Sequence, residues 1–111
     1  MLRSRGKVTV TSAGTPVRLT TNESTPSARL GCHAFMVESL STNTGKIFIG
    51  TSGMNKTTLA GVVAILAIPT SNILPVFTVG FSGAPNAFNL ADYYVDADNS
   101  GEAVLVSTLE L

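Results

Sequence analysis

Short apolar runs separated by turn-forming residues recur along the whole chain, and several alternate strictly between apolar and polar positions. In residues 7–12, Val8 and Val10 alternate with Thr9 and Thr11. Such a period of two places successive side chains on opposite faces of a strand, one of them buried. Val17 and Leu19 alternate in the same way with Arg18 and Thr20. The Ala13-Gly14 pair between the two runs predicts a tight turn, and the runs are expected to pair as a hairpin.

Beyond the polar stretch 22–27, residues 28–41 are apolar on both faces through their middle. Gly31 and the sequence Phe35-Met36-Val37 favour a strand buried on both sides over a helix. A turn over residues 42–45 leads into the β-branched run 46–50, and residues 50–58 form a loop of glycines and hydroxyls. Residues 59–69 contain helix-forming Ala and Leu, but Gly61, the Val62-Val63 pair and Pro69 favour a strand. The next run, 73–81, carries Pro75, which suggests a sheet edge or a bend. After a loop over 82–89, Tyr93, Val95 and Ala97 alternate with Asp92, Tyr94, Asp96 and Asp98. Asn99, Ser100 and Gly101 turn the chain into a last strand, with Val104 and Val106 on one face and Leu105 on the other.

Eight predicted strands without a helix describe an all-β fold: a single-domain β-sandwich of the jelly-roll kind, whose strand order the count alone does not fix. The expected organisation is a flexible amino-terminal arm over residues 1–6, then one sandwich domain over 7–111. At 111 residues the chain holds one core and not two.

Charge changes this picture most. Seven Lys and Arg balance seven Asp and Glu, so only 13% of the residues are charged and the net charge is zero, against about 25% in ordinary soluble domains. Ser and Thr number 25. A skin of hydroxyls, glycine and apolar groups without net charge favours association. Balanced charge argues against nucleic acid, because phosphate binding needs a basic face. The longest apolar stretch, 59–69, is shorter than the ~20 residues that cross a bilayer as a helix, and the basic opening is not followed by the apolar run of a signal peptide. No membrane partner is expected. Cys32 is alone, so no disulfide forms within the chain. A buried thiol and a reducing cytoplasm during synthesis are expected.

Four patterns suggest chemistry, and each has a plainer reading. Residues 50–57, GTSGMNKT, approach the phosphate-binding loop, but Asn55 replaces the glycine that lets backbone wrap around phosphate. Asp96, Asp98, Ser100 and Gly101 resemble the start of a calcium loop, with Glu102 as an alternative ligand, yet Ser107 stands where the bidentate Glu belongs. Turn chemistry explains them without metal. His33 and Cys32 are neighbours, and adjacent strand residues point to opposite faces, so they form no catalytic dyad. Asp92, Asp96 and Asp98 share a strand face, but they lie beside a solvated turn rather than in a cleft suited to glycoside hydrolysis. No catalytic residue, cofactor or metal site is therefore expected.

The stretches VTVTSAGTPVRLT, TGKIFIGTSGMN and LADYYVDADNSGEAVLVS resemble, in that order, small virion structural proteins of tailed bacteriophages, of the head decoration or cement type. That resemblance implies a non-enzymatic β-sandwich that assembles as a homotrimer on the capsid surface and clamps major capsid subunits. Expected contacts are the arm, through Leu2, Arg3 and Arg5, and the central loop, through Met54, Asn55 and Lys56. One alternative is a tail- or fibre-associated protein binding glycans through loop hydroxyls and Tyr93 or Tyr94. An enzyme or small-ligand binder with a cupin-like barrel is another, disfavoured by the single histidine.

Overall fold

The structure is a computed structural model that describes residues 2–80 and 88–110. Its ten strands are β1 (Leu2–Thr9), β2 (Val17–Arg18), β3 (Gly31–Cys32), β4 (Ala34–Ser39), β5 (Ile47–Thr51), β6 (Val62–Leu66), β7 (Val76–Val79), β8 (Phe88–Asn89), β9 (Tyr93–Ala97) and β10 (Ala103–Leu109). A 3-10 turn, Leu90–Asp92, precedes β9. The all-β sandwich read from the sequence is what forms. One sheet has the order β1-β10-β4-β7, the other β2-β9-β5-β6, and β3 pairs with β8 as a short third ribbon.

The pairing is nested: β1 with β10, β2 with β9, β3 with β8, β4 with β7 and β5 with β6, all antiparallel. The expected hairpin between residues 7–12 and 15–21 therefore does not form. β1 and β2 belong to opposite sheets, and the turn at Gly14 (φ 91°) carries the chain across the sandwich instead. The turn at 99–101 likewise joins strands of different sheets. Of the sequential neighbours, β5 and β6 pair directly. The predicted long strand at 28–41 divides into β3 and β4, with His33 between them.

Alternation decides which residues meet in the core. In the first sheet Val106, Val37 and Phe77 form one inward row, and Thr108, Phe35 and Val79 the next. Facing them are Val17, Val95, Ile49 and Ala64 in one row of the second sheet, with Ala97, Ile47 and Leu66 in another. Phe35 is fully buried and meets Phe77, Phe88 and Tyr93 with ring centroids 6.3, 6.2 and 4.8 Å away. Truncating such a side chain to alanine costs about 3–5 kcal/mol.

Residues 2–6, expected as a free arm, are part of β1. The register of β1 against β10 slips between Ser4 and Gly6, so Arg5 is the extra residue of a bulge. A bulge redirects its side chain, and Arg5 turns inward with 4% of its side chain exposed. There Nε donates to Thr108 Oγ1 (3.1 Å) and Nη1 to Glu23 Oε1 (3.0 Å), while Nη2 pairs with Glu110. The cation expected to meet a partner is the centre of an internal ionic cluster.

Candidate functional site

The residues singled out from the sequence separate into internal and surface groups. Leu2 and Arg3 are exposed on the outer edge of β1, whereas Arg5 is buried. Of the central-loop trio, Asn55 is exposed, but Met54 is 5% exposed and packs over Gly50. Gly50 has no side chain to hold the loop away: a Cβ there would lie 3.0 Å from Met54 Cβ and 2.4 Å from the Gly61 carbonyl oxygen. Arg5 and Met54 are thus supports of the fold rather than contacts offered to a partner.

The loop does not present a phosphate cradle either. Asn55 Oδ1 accepts from the backbone N–H groups of Thr57 (2.8 Å) and Thr58 (3.1 Å). Lys56 points its ammonium at the Ala97 carbonyl, 2.8 Å away, with Asp98 Oδ1 at 4.0 Å. The Lys56 ammonium and the Thr57 and Thr58 N–H groups are thus engaged inside the chain.

Asp96, Asp98, Ser100 and Glu102 act as a bolt between loops. Asp96, 1% exposed, accepts from Gly14 N (2.9 Å) and Ala97 N (2.8 Å). Ser100 Oγ accepts from Ala13 N, and Asp98 from Lys46 N. Glu102 accepts from the backbone of Thr44 and Gly45 and from the Thr44 hydroxyl. These oxygens face different peptide groups instead of one point, and among the described residues no cluster of three or more His, Cys, Asp or Glu forms a metal site. Asp92 ends the 3-10 turn before β9, so it does not share a strand face with Asp96.

His33 is 8% exposed, and its Nε2 has no hydrogen-bond partner among the described residues. Cys32 is buried in the core, and burial pushes its thiol pKa above the ordinary value. A buried neutral thiol is a poor nucleophile.

Two surface features stand out among the described residues. The first is an open cleft of about 490 Å³ lined by Arg18, Thr51, Ser52, Ala91, Asp92 and Tyr94. The Arg18 guanidinium lies 5.4 Å from the centre of the Tyr94 ring and donates to the Ala91 carbonyl at 3.4 Å. Tyr93 takes no part in it, since its ring packs inward against Phe35.

The second feature is apolar. Among the described residues nine large hydrophobic side chains are exposed, and seven fall between positions 59 and 76. Val63 and Ile65 project from β6, Val76 from β7, Ile68, Ile73 and Leu74 from the connection between them, and Leu59 from the loop before β6. β6 and β7 are the edge strands of the two sheets and neighbour each other, so these side chains gather at one edge of the sandwich, Val63 and Ile65 facing outward from one sheet and Val76 from the other. Leu59 holds a left-handed backbone (φ 66°), a conformation costly to a side chain with Cβ. The Thr70–Ile73 turn, closed by Thr70 N to Ile73 O (2.9 Å), presents Ile73 with 64% of its surface exposed.

The sequence signal for this strip is the spacing of charge rather than its total. From Thr57 through Ala91 there is no Asp, Glu, Lys, Arg or His. A run of 35 residues without a charge includes both edge strands of that side. No family model, curated protein or solved structure matches the chain.

Proposed function

We propose that this chain is a non-enzymatic virion structural protein of the capsid decoration type. On this reading it is made in the host cytoplasm, assembles as a homotrimer, and stabilises the phage head by binding major capsid subunits on the capsid surface. The apolar strip on the β6–β7 side carries the proposal. Exposed aliphatic side chains gathered at one edge of a sandwich mark an interaction site, and repeated weak contacts across a shell reinforce one another. The nested pairing of all five strand couples supports reading the sandwich as a jelly roll, an architecture common in capsid proteins. The resemblance of three stretches to small phage virion proteins points the same way.

Electron microscopy of purified particles containing this chain tests the reading. Density for the sandwich on the outside of the head is expected. Density at the tail, or particles that never incorporate it, would overturn head decoration.

The cleft at Arg18 and Tyr94 favours a second reading, a tail- or fibre-associated glycan-binding protein. An aromatic ring, a guanidinium, a carboxylate and two hydroxyls around 490 Å³ fall within the size of small-ligand sites, about 300–1,000 Å³. Saccharide binding that disappears in Tyr94→Ala supports this alternative.

A further inference from the structure

We propose that the cleft at Arg18 and Tyr94 selects acidic saccharides, sugar units that carry a carboxylate, with Arg18 as the group that reads the charge. The inference rests on the glycan-binding reading of this cleft and names the class of sugar it takes.

Strand register builds the site. Arg18 on β2 stands directly opposite Tyr94 on β9, and Tyr94 in turn opposite Gly50 on β5. Val17, Val95 and Ile49, one position away on the same strands, pack into the core. Alternation therefore puts Arg18 and Tyr94 on the outer face of that sheet. Gly50 adds no side chain beside the Tyr94 ring. Thr51 at the end of β5, Ser52 after it, and Ala91 and Asp92 of the 3-10 turn complete the lining.

The guanidinium is held without being neutralised. Among the described residues Arg18 makes no ion pair, whereas Arg3, Arg5 and Lys56 each meet a carboxylate. What holds Arg18 is the Tyr94 ring, 5.4 Å away, and a long hydrogen bond of 3.4 Å to the Ala91 carbonyl. An aromatic face fixes the guanidinium plane and leaves N–H groups at its edge open. Such an edge matches the two oxygens of a carboxylate. Tyr94 is thus a positioning residue, and Arg18 is the contact.

The other lining groups select what the carboxylate is attached to. Asp92 faces the same cleft, so a doubly charged phosphate is repelled there as it is drawn to Arg18. A single carboxylate on a polyol suits both ends. Asp92 Oδ1 accepts from Asn89 Nδ2 at 3.4 Å, and the carboxylate has further lone pairs for ligand hydroxyls, as do the hydroxyls of Thr51 and Ser52. One cation, one carboxylate and two hydroxyls are the complement of a uronate-like sugar.

The test is titration of the wild-type chain with methyl glucuronide, methyl glucoside and inorganic phosphate, followed by NMR, beside Arg18→Gln, Tyr94→Leu and Tyr94→Phe. Circular dichroism verifies the fold of each variant. Methyl glucuronide is expected to bind at least ~10-fold more tightly than the other two and to shift the amide signals of residues 18 and 94. Arg18→Gln should abolish that preference, and Tyr94→Leu should weaken it, while Tyr94→Phe keeps the ring and retains it. Raising salt from about 0.01 M to about 0.15 M should weaken glucuronide binding and leave glucoside binding as it was. Equal binding of the two sugars, unchanged in Arg18→Gln, overturns acid selection and leaves the glycan reading standing. Phosphate binding tighter than glucuronide also overturns it. Failure to bind either sugar overturns the inference and the glycan reading together.

Discussion

Arg5 Nε donates to Thr108 Oγ1 at 3.1 Å, joining residues 103 positions apart near the two ends of the chain. Both side chains are buried on the inner side of the β1–β10 pair. The guanidinium also meets Glu23 and Glu110, whose side chains remain 28% and 23% exposed.

Removing this cation takes from Glu23, Glu110 and the buried Thr108 hydroxyl the guanidinium they share. Arg5→Ala is therefore expected to destabilise the fold by about 3 kcal/mol, near the lower end for a broken buried pair because both carboxylates keep some water. Arg3, 58% exposed and 3.9 Å from Glu110, is expected to cost less than ~0.5 kcal/mol on replacement by alanine. Urea unfolding midpoints of the two variants measure the contrast, and equal losses would contradict it.

Gly80 is irreplaceable for two independent reasons. Its φ is +87°, and a Cβ there would stand 2.3 Å from Phe88 Cε2 and 2.5 Å from the His33 carbonyl oxygen. Neither backbone nor a packed ring can yield cheaply, so Gly80→Ala is expected to cost at least ~3 kcal/mol through strain and overpacking. Gly53→Ala tests the strain alone, since it shares a positive φ (+78°) but has open space around the added carbon. Thermal unfolding should rank Gly80→Ala well below Gly53→Ala.

Stability is expected to fall in alkali. Burial holds the Cys32 thiol above its ordinary 9.0, with Arg5 opposing and Glu110 adding to the rise. Burial and Asp92 raise Tyr93 above 10.0. Both groups stay protonated in the fold while the unfolded chain ionises. Their contribution is thus complete below pH 9 and is lost as pH rises through the folded values. Melting temperatures measured from pH 8 upward should decline more gently in Cys32→Ala than in the wild type. Parallel slopes would contradict a buried neutral thiol.

Calcium is expected to leave the fold unchanged. The oxygens of Asp96, Ser100 and Glu102 already accept from backbone groups of residues 13–14 and 44–45 and from Ala97. Melting in millimolar calcium should match melting in chelator. A rise of several degrees would reveal a site that these contacts do not form.

Most strand positions were legible because alternation is a local property: Val8 and Val10, or Tyr93 through Ala97, declare their faces without reference to a partner. Partners were not legible in the same way. Ala13-Gly14 is equally good chemistry for a hairpin and for a corner between sheets, and the Val17–Val95 pair spans most of the chain. Residues 28–41 looked like one strand because both β3 and β4 contribute to the core, although His33 separates them. Burial of Arg5 depended on a bulge that its sequence neighbours do not announce, and burial of Met54 on the bare backbone of Gly50 beneath it. The apolar strip was readable in principle: the charge-free run 57–91 stands in the sequence, but a total charge count conceals it.

Amide hydrogen exchange followed as a function of protein concentration tests the central claim most directly, because it reads the strip without altering it. Protection of residues 62–66 and 76–79 should rise as the concentration increases, while the β1 edge stays as it was. Exchange at β6 and β7 that is fast and indifferent to concentration would contradict an edge built to be covered.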